Sequence, residues 1–235
     1  MSTKIYAMQV QLIKNLDHNE ELVLDCETAL FITHPTSYFD DSFSSLQGVL
    51  KISRWMKNQQ QNLGSFLLVD QFRVQKLLQV SSDNYYLGSE CFDFTVDSFV
   101  GEHSVTIANN KRILLAGGYV NQCLLKTTTN LVDNWSVTSS QNIRLIFIVD
   151  AIYTDLKEGD RVLTLQDVIE SHPEHFDNYI STYIGFLRNQ LAAEDLDKNL
   201  SFQIYLGKKL VKIQDKGERV IEMRFVNSRS LKASE

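Results

Sequence analysis

Four short, uninterrupted apolar runs constrain the fold of this chain more than any other feature. They are Glu21-Leu22-Val23-Leu24-Asp25, Phe66-Leu67-Leu68-Val69-Asp70, Arg112-Ile113-Leu114-Leu115-Ala116-Gly117 and Ile143-Arg144-Leu145-Ile146-Phe147-Ile148-Val149-Asp150. Each is continuous and does not alternate, as expected of strands covered on both faces. Helical spacing fills the intervals: Phe43, Leu46, Val49, Leu50 and Met56 in one, Leu124, Leu125, Thr128 and Leu131 in another. Strand and helix in alternation predict a three-layer, doubly wound, mostly parallel α/β sheet with helices on both faces. In such sheets ligands bind beyond the carboxyl ends of the strands, which is where Asp25, Asp70, Gly117-Gly118 and Asp150 fall.

The C-terminal part has a different pattern. Residues 176–193 predict one long helix, with Phe176, Tyr179, Ile180, Tyr183, Ile184, Leu187 and Leu191 at helical spacing, and His172-Pro173-Glu174-His175 reads as its entry. Beyond it, three strands are predicted between residues 200 and 226, the last two joined by the turn Gln214-Asp215-Lys216-Gly217. The expectation is a C-terminal antiparallel extension, to which the alternating N-terminal run Tyr6, Met8, Val10, Leu12 is a candidate partner. With no Gly/Ser linker and only two prolines, residues 1–235 read as one α/β domain, its core at about 20–195 and the strands at about 200–226 an appendage.

Charge and cysteine usage narrow the function classes. The net charge of -6 arises from acids spread along the chain, which argues against nucleic acid as a partner, because phosphate binding needs clustered Lys and Arg. Cys26, Cys91 and Cys123 are odd in number and widely spaced, fitting neither a disulfide framework nor a paired-thiol metal site. The N-terminus lacks the apolar core of a signal peptide, and no apolar run approaches the roughly 20 residues of a membrane helix. The expectation is a cytoplasmic protein with no membrane partner and a small-molecule substrate or ligand; homo-oligomerisation is left open.

Cys123 is the residue with the clearest chemical context. In Leu114-Leu115-Ala116-Gly117-Gly118-Tyr119-Val120-Asn121-Gln122-Cys123 a buried strand runs into a Gly-Gly turn, and the thiol opens the next helix. Glycine permits a sharp turn and close approach to a ligand, while the N–H groups and positive end of a helix stabilise a thiolate. The competing reading is a small side chain filling space under the next strand, since free Cys is among the most buried residue types. A Cys91–His103 pair is a second nucleophile candidate without a turn signature.

The segment Ile113-Leu114-Leu115-Ala116-Gly117-Gly118-Tyr119-Val120-Asn121-Gln122-Cys123-Leu124-Leu125-Lys126-Thr127 resembles the nucleophile turn of the isochorismatase-like cysteine hydrolases, where a Thr often stands four positions after the Cys. Leu22-Val23-Leu24-Asp25-Cys26-Glu27 resembles that superfamily's first strand, which ends in the catalytic Asp, and Ile146-Phe147-Ile148-Val149-Asp150-Ala151 resembles the strand after the nucleophile helix. The resemblance spans roughly residues 20–155. It implies Cys123 as nucleophile, Asp25 as the base that takes its proton, and backbone N–H groups at Gly118 and Tyr119 as an oxyanion hole. On the residues alone, Asp25 reads equally as a strand-end cap.

One departure stands against these matches. The family places a Lys about 30 to 40 residues before the Cys, where this sequence reads Tyr85-Tyr86-Leu87-Gly88-Ser89-Glu90-Cys91-Phe92, with no lysine between Lys76 and Lys111. Lys126 and Arg73 are the candidate substitute cations. Metal-binding relatives use Asp and His after the second strand, but here that loop reads Asp70-Gln71-Phe72-Arg73, so neither a metal nor any other cofactor is expected. Two functions follow: a hydrolase of a small amide, ester or vinyl ether, or a catalytically inactive fold relative that binds or scaffolds. A nucleotide-binding doubly wound protein ranks below both, since the chain has no P-loop and no GxGxxG.

Overall fold

A computed structural model describes residues 22–24, 28–33, 63–69, 90–93, 105–107, 112–138, 142–192, 199–215 and 217–231. Its strands are β1 (Leu22–Leu24), β2 (Thr28–Thr33), β3 (Leu63–Val69), β4 (Glu90–Asp93), β5 (Val105–Ile107), β6 (Arg112–Gly117), β7 (Ile143–Ile148), β8 (Tyr153–Glu158), β9 (Arg161–Thr164), β10 (Leu200–Leu206), β11 (Lys209–Gln214) and β12 (Arg219–Val226). The helices are α1 (Cys123–Thr138), α2 (Leu165–Ser171) and α3 (Pro173–Ala192). Eight strands form one sheet in the order β11-β10-β12-β7-β6-β2-β3-β4. Every neighbouring pair in it is parallel except β10 with β11. The molecule is therefore of α/β type, with a mixed, mostly parallel sheet.

One face of this sheet packs on α1 and α3. Phe31 of β2, Ile113 and Leu115 of β6, Leu145 and Phe147 of β7, Met223 and Phe225 of β12, and Phe202 and Ile204 of β10 join the apolar sides of both helices in one buried cluster. On α3 the buried residues are Phe176, Tyr179, Ile180, Tyr183, Ile184, Leu187 and Leu191, the spacing of a single helical stripe. Burying each large side chain stabilises the fold by about 1.5–3 kcal/mol, so this stripe outweighs helix propensity in holding α3. The Phe225 ring stacks on Phe147 with centroids 4.7 Å apart and meets Phe176 edge-on at 5.0 Å, tying β12 to β7 and α3. Helix α2 is started by a capping box: Asp167 N–H donates to Thr164 Oγ1 at 3.2 Å, and Thr164 N–H donates to Asp167 Oδ2 at 2.8 Å.

Two expectations are corrected. The run before Asp25 does form β1, but β1 pairs with β5 in a separate two-stranded sheet. The place beside β6 belongs to β2, whose six residues bond in register to β6 on one side and β3 on the other. The C-terminal strands are also neither an appendage nor an antiparallel unit. β12 inserts between β7 and β10, parallel to both, because Ile221, Met223 and Phe225 all enter the core. Only β11 runs antiparallel, and its hairpin turns at Gly207-Lys208, not at residues 214–217. The candidate N-terminal strand at residues 6–12 lies outside the described residues.

Candidate functional site

The Cys123 turn sits at the carboxyl end of β6, and its backbone is fixed from three sides. Gly117 and Gly118 have φ of 72° and 67°, the left-handed region that side chains disfavour. A Cβ on Gly117 would lie 2.1 Å from the Thr33 carbonyl oxygen, so only glycine lets β2 approach this closely. A hairpin formed by β8 and β9, unforeseen in the sequence, clamps the far side: Tyr153 N–H donates to Gly118 O at 3.0 Å and Val120 N–H to Tyr153 O at 2.9 Å. The Tyr119 carbonyl accepts from Gln122 N–H at 3.1 Å and Leu124 N–H at 3.2 Å, which closes the turn into α1.

Cys123 is the first residue of α1 and is half-buried. Its Sγ accepts the Tyr119 N–H at 3.1 Å. The sulfur also lies 4.0 Å from the Tyr119 carbonyl oxygen, to which a thiol would donate, and it stands at the positive end of a 16-residue helix. Gly118 leaves the other flank open, since a Cβ there would come within 2.9 Å of Sγ.

Among the described residues, threonines lie close to the Cys123 turn. Thr33 ends β2 directly opposite Gly117 and is buried; its Oγ1 lies 3.3 Å from Thr127 Oγ1. Thr127 donates to Cys123 O at 3.0 Å, and Thr128 and Thr129 donate likewise to Leu124 O and Leu125 O. These bonds satisfy each hydroxyl within the helix. Thr33 lies on β2, which is not among the four apolar runs marked in the sequence; Thr127 was marked only by its spacing from the cysteine. Below them, burial pushes the Tyr183 hydroxyl pKa well above its ordinary value, the Thr128 hydroxyl pulls it down and a charge on Cys123 adds to the rise. Tyr183 Oη has no partner at hydrogen-bond distance.

The other residues singled out from the sequence are distributed as follows. Asp25 and Arg73 lie outside the described residues, as do Asp70 and His103. Lys126 is exposed on α1, one turn after Cys123. Cys91 lies on β4. Asp150 is buried beyond β7, where Oδ1 accepts Ser228 N–H at 2.7 Å and Oδ2 accepts the Ser228 hydroxyl at 2.5 Å. That carboxylate fastens the residues after β12. His172 and His175 flank the start of α3, each 3.9 Å from Glu174 Oε1. Among the described residues no three His, Cys, Asp or Glu side chains gather as a metal site, and no helix is long and apolar enough to cross a membrane.

In comparisons with known proteins, the chain matches no family model, no curated protein and no solved structure.

Proposed function

We propose that this chain is an isochorismatase-like cysteine hydrolase acting on a small amide, ester or vinyl ether, built on a doubly wound sheet with helices on both faces. The observation that carries the reading is the donation from Tyr119 N–H to Cys123 Sγ at 3.1 Å, on the first residue of a helix that follows a glycine turn. In the proposed reaction Asp25 takes the thiol proton and the thiolate attacks the carbonyl carbon of an amide or ester. Negative charge then moves from sulfur to the carbonyl oxygen, and the Tyr119 and Gly118 N–H groups are the donors proposed to follow it. Asp25 returns that proton to the departing amine or alcohol, leaving a thioester, which water hydrolyses to the free acid and the regenerated thiol. Lys126 or Arg73 supplies the cation that keeps Asp25 and the thiolate from repelling each other.

A second reading, a non-catalytic relative that binds a small ligand or scaffolds a partner, is favoured by one observation. The residue closing the strand beside the nucleophile turn is Thr33, a neutral group facing Thr127, not a carboxylate. Two measurements separate the readings. A mild alkylating reagent should label Cys123 faster than Cys26 or Cys91 in the folded protein; equal rates would remove the activated thiol. Against a panel of small amides and esters, Cys123→Ala and Asp25→Asn should abolish turnover. Turnover surviving Cys123→Ala rejects the chemistry, and a parent without turnover selects the binding protein.

A further inference from the structure

The edge strand β11 carries a surface that the Cys123 site does not use. Among the described residues four large apolar side chains are exposed, and three of them lie on this one strand: Leu210, Val211 and Ile213, at 40%, 42% and 55%. Five of its six residues are exposed and the sixth, Gln214, is half-buried. Among the described residues its neighbour in the sheet is β10 alone, at the end of the strand order, and one row of its backbone N–H and C=O groups points away from β10.

Register sorts its side chains by face. Leu210 lies opposite Tyr205 and Ile213 opposite Gln203, on the face away from α3, while Val211 sits at a register irregularity and has no residue opposite it on β10. Lys209 and Lys212 lie opposite Leu206 and Ile204, on the face of the helices, with Lys208 exposed in the adjoining turn. The edge is thus apolar on one face and basic on the other. A strand laid beside it is complementary when apolar side chains on one face alternate with acidic ones on the other. A second copy of β11 would bring lysines against lysines, and like charges across a strand pair oppose association.

We propose that β11 is a docking edge for an extended segment of a partner protein in which acidic and apolar residues alternate, added to the sheet as a further strand. Backbone bonds supply affinity in this mode, and the alternating side chains supply selectivity. This inference is independent of the chemistry at Cys123.

Fluorescence anisotropy tests it with a labelled peptide of alternating glutamate and valine. The same composition in scrambled order and a peptide of alternating lysine and valine serve as controls. The glutamate–valine peptide should bind best, and amide hydrogen exchange along β11 should slow on binding. Joint Lys209→Glu and Lys212→Glu substitution should weaken it about tenfold at low salt, as expected for two charge pairs reversed. Circular dichroism should confirm that this variant folds. Equal binding of the three peptides, an affinity indifferent to the charge reversal, or unchanged exchange along β11 would each overturn the proposal. So would a concentration-dependent dimer of the parent that Ile213→Lys dissociates, because the edge would then serve a second copy.

Discussion

Replacing Gly117 by alanine asks how much of the nucleophile turn depends on one absent methyl group. At φ of 72° an alanine incurs about 1–2 kcal/mol of left-handed strain. The added Cβ would also sit 2.1 Å from the Thr33 carbonyl oxygen and 3.0 Å from its carbon, both backbone atoms of a strand bonded on two sides. Such overpacking costs typically 1–3 kcal/mol and more where the backbone cannot yield, so Gly117→Ala should destabilise the protein by about 3–5 kcal/mol. Gly118→Ala is the internal control. Its φ of 67° brings the same strain, but its Cβ would meet Sγ at 2.9 Å, the end of a side chain that can rotate. That variant should lose only about 1–3 kcal/mol while displacing the sulfur. Urea unfolding measures both, with a slope of roughly 3 kcal/mol per molar placing the Gly117→Ala midpoint about 1 M or more below the parent. A Gly117→Ala protein within about 1 kcal/mol of the parent would refute the close approach of β2 to the turn.

Three further outcomes follow from buried polar groups. Asp150→Ala strands the Ser228 N–H and hydroxyl and should cost about 2–4 kcal/mol in thermal or urea unfolding, against about 1–2 for Ser228→Ala. Tyr183→Phe removes a buried hydroxyl without a partner at hydrogen-bond distance, so stability should hold within about 0.5 kcal/mol or rise. Burial raises the pKa of both Tyr179, which also donates a hydrogen bond to Asp155, and Tyr183. The unfolded chain therefore loses protons first: stability is complete below pH of about 10 and falls as pH rises toward the folded values. Unfolding followed at stepped alkaline pH should show that loss, and the joint Phe variant should flatten it.

The elements readable in advance were those whose burial pattern is set locally. The stripe from Phe176 to Leu191 admits one solution, a helix with that face inward, and α3 has it. The uninterrupted run Ile113-Leu114-Leu115-Ala116 and the glycines after it likewise marked β6 and the turn leading to Cys123. What the pattern could not rank was partners. Leu22-Val23-Leu24 and Ala29-Leu30-Phe31-Ile32 are both strand-forming, and only pairing across the sheet puts the second beside β6. Gly207-Lys208 and Asp215-Lys216-Gly217 both carry turn chemistry, and the parallel bond of β12 to β7, across more than seventy residues of chain, decides which one closes a hairpin. The site inherited this difficulty. Cys123 and Thr127 share one helix and show their spacing, whereas Thr33 reaches them through a strand pairing that no local window contains.

The position of β12 also fixes an order of events. β10 and β11 are made before β12, yet they join the rest of the sheet only through it, since β12 lies between β10 and β7. While the chain is still growing, β7 has an open flank and the β10–β11 hairpin has nowhere in the sheet to bond. The last long strand therefore enters as a wedge between two segments already synthesised, and Asp150 waits beside β7 for the Ser228 that arrives behind it. Such long-range closure is slow and leaves strand edges exposed in the interval. Release of a chain cut short before residue 219 should thus yield a sheet that ends at β7, with the hairpin adrift and prone to association.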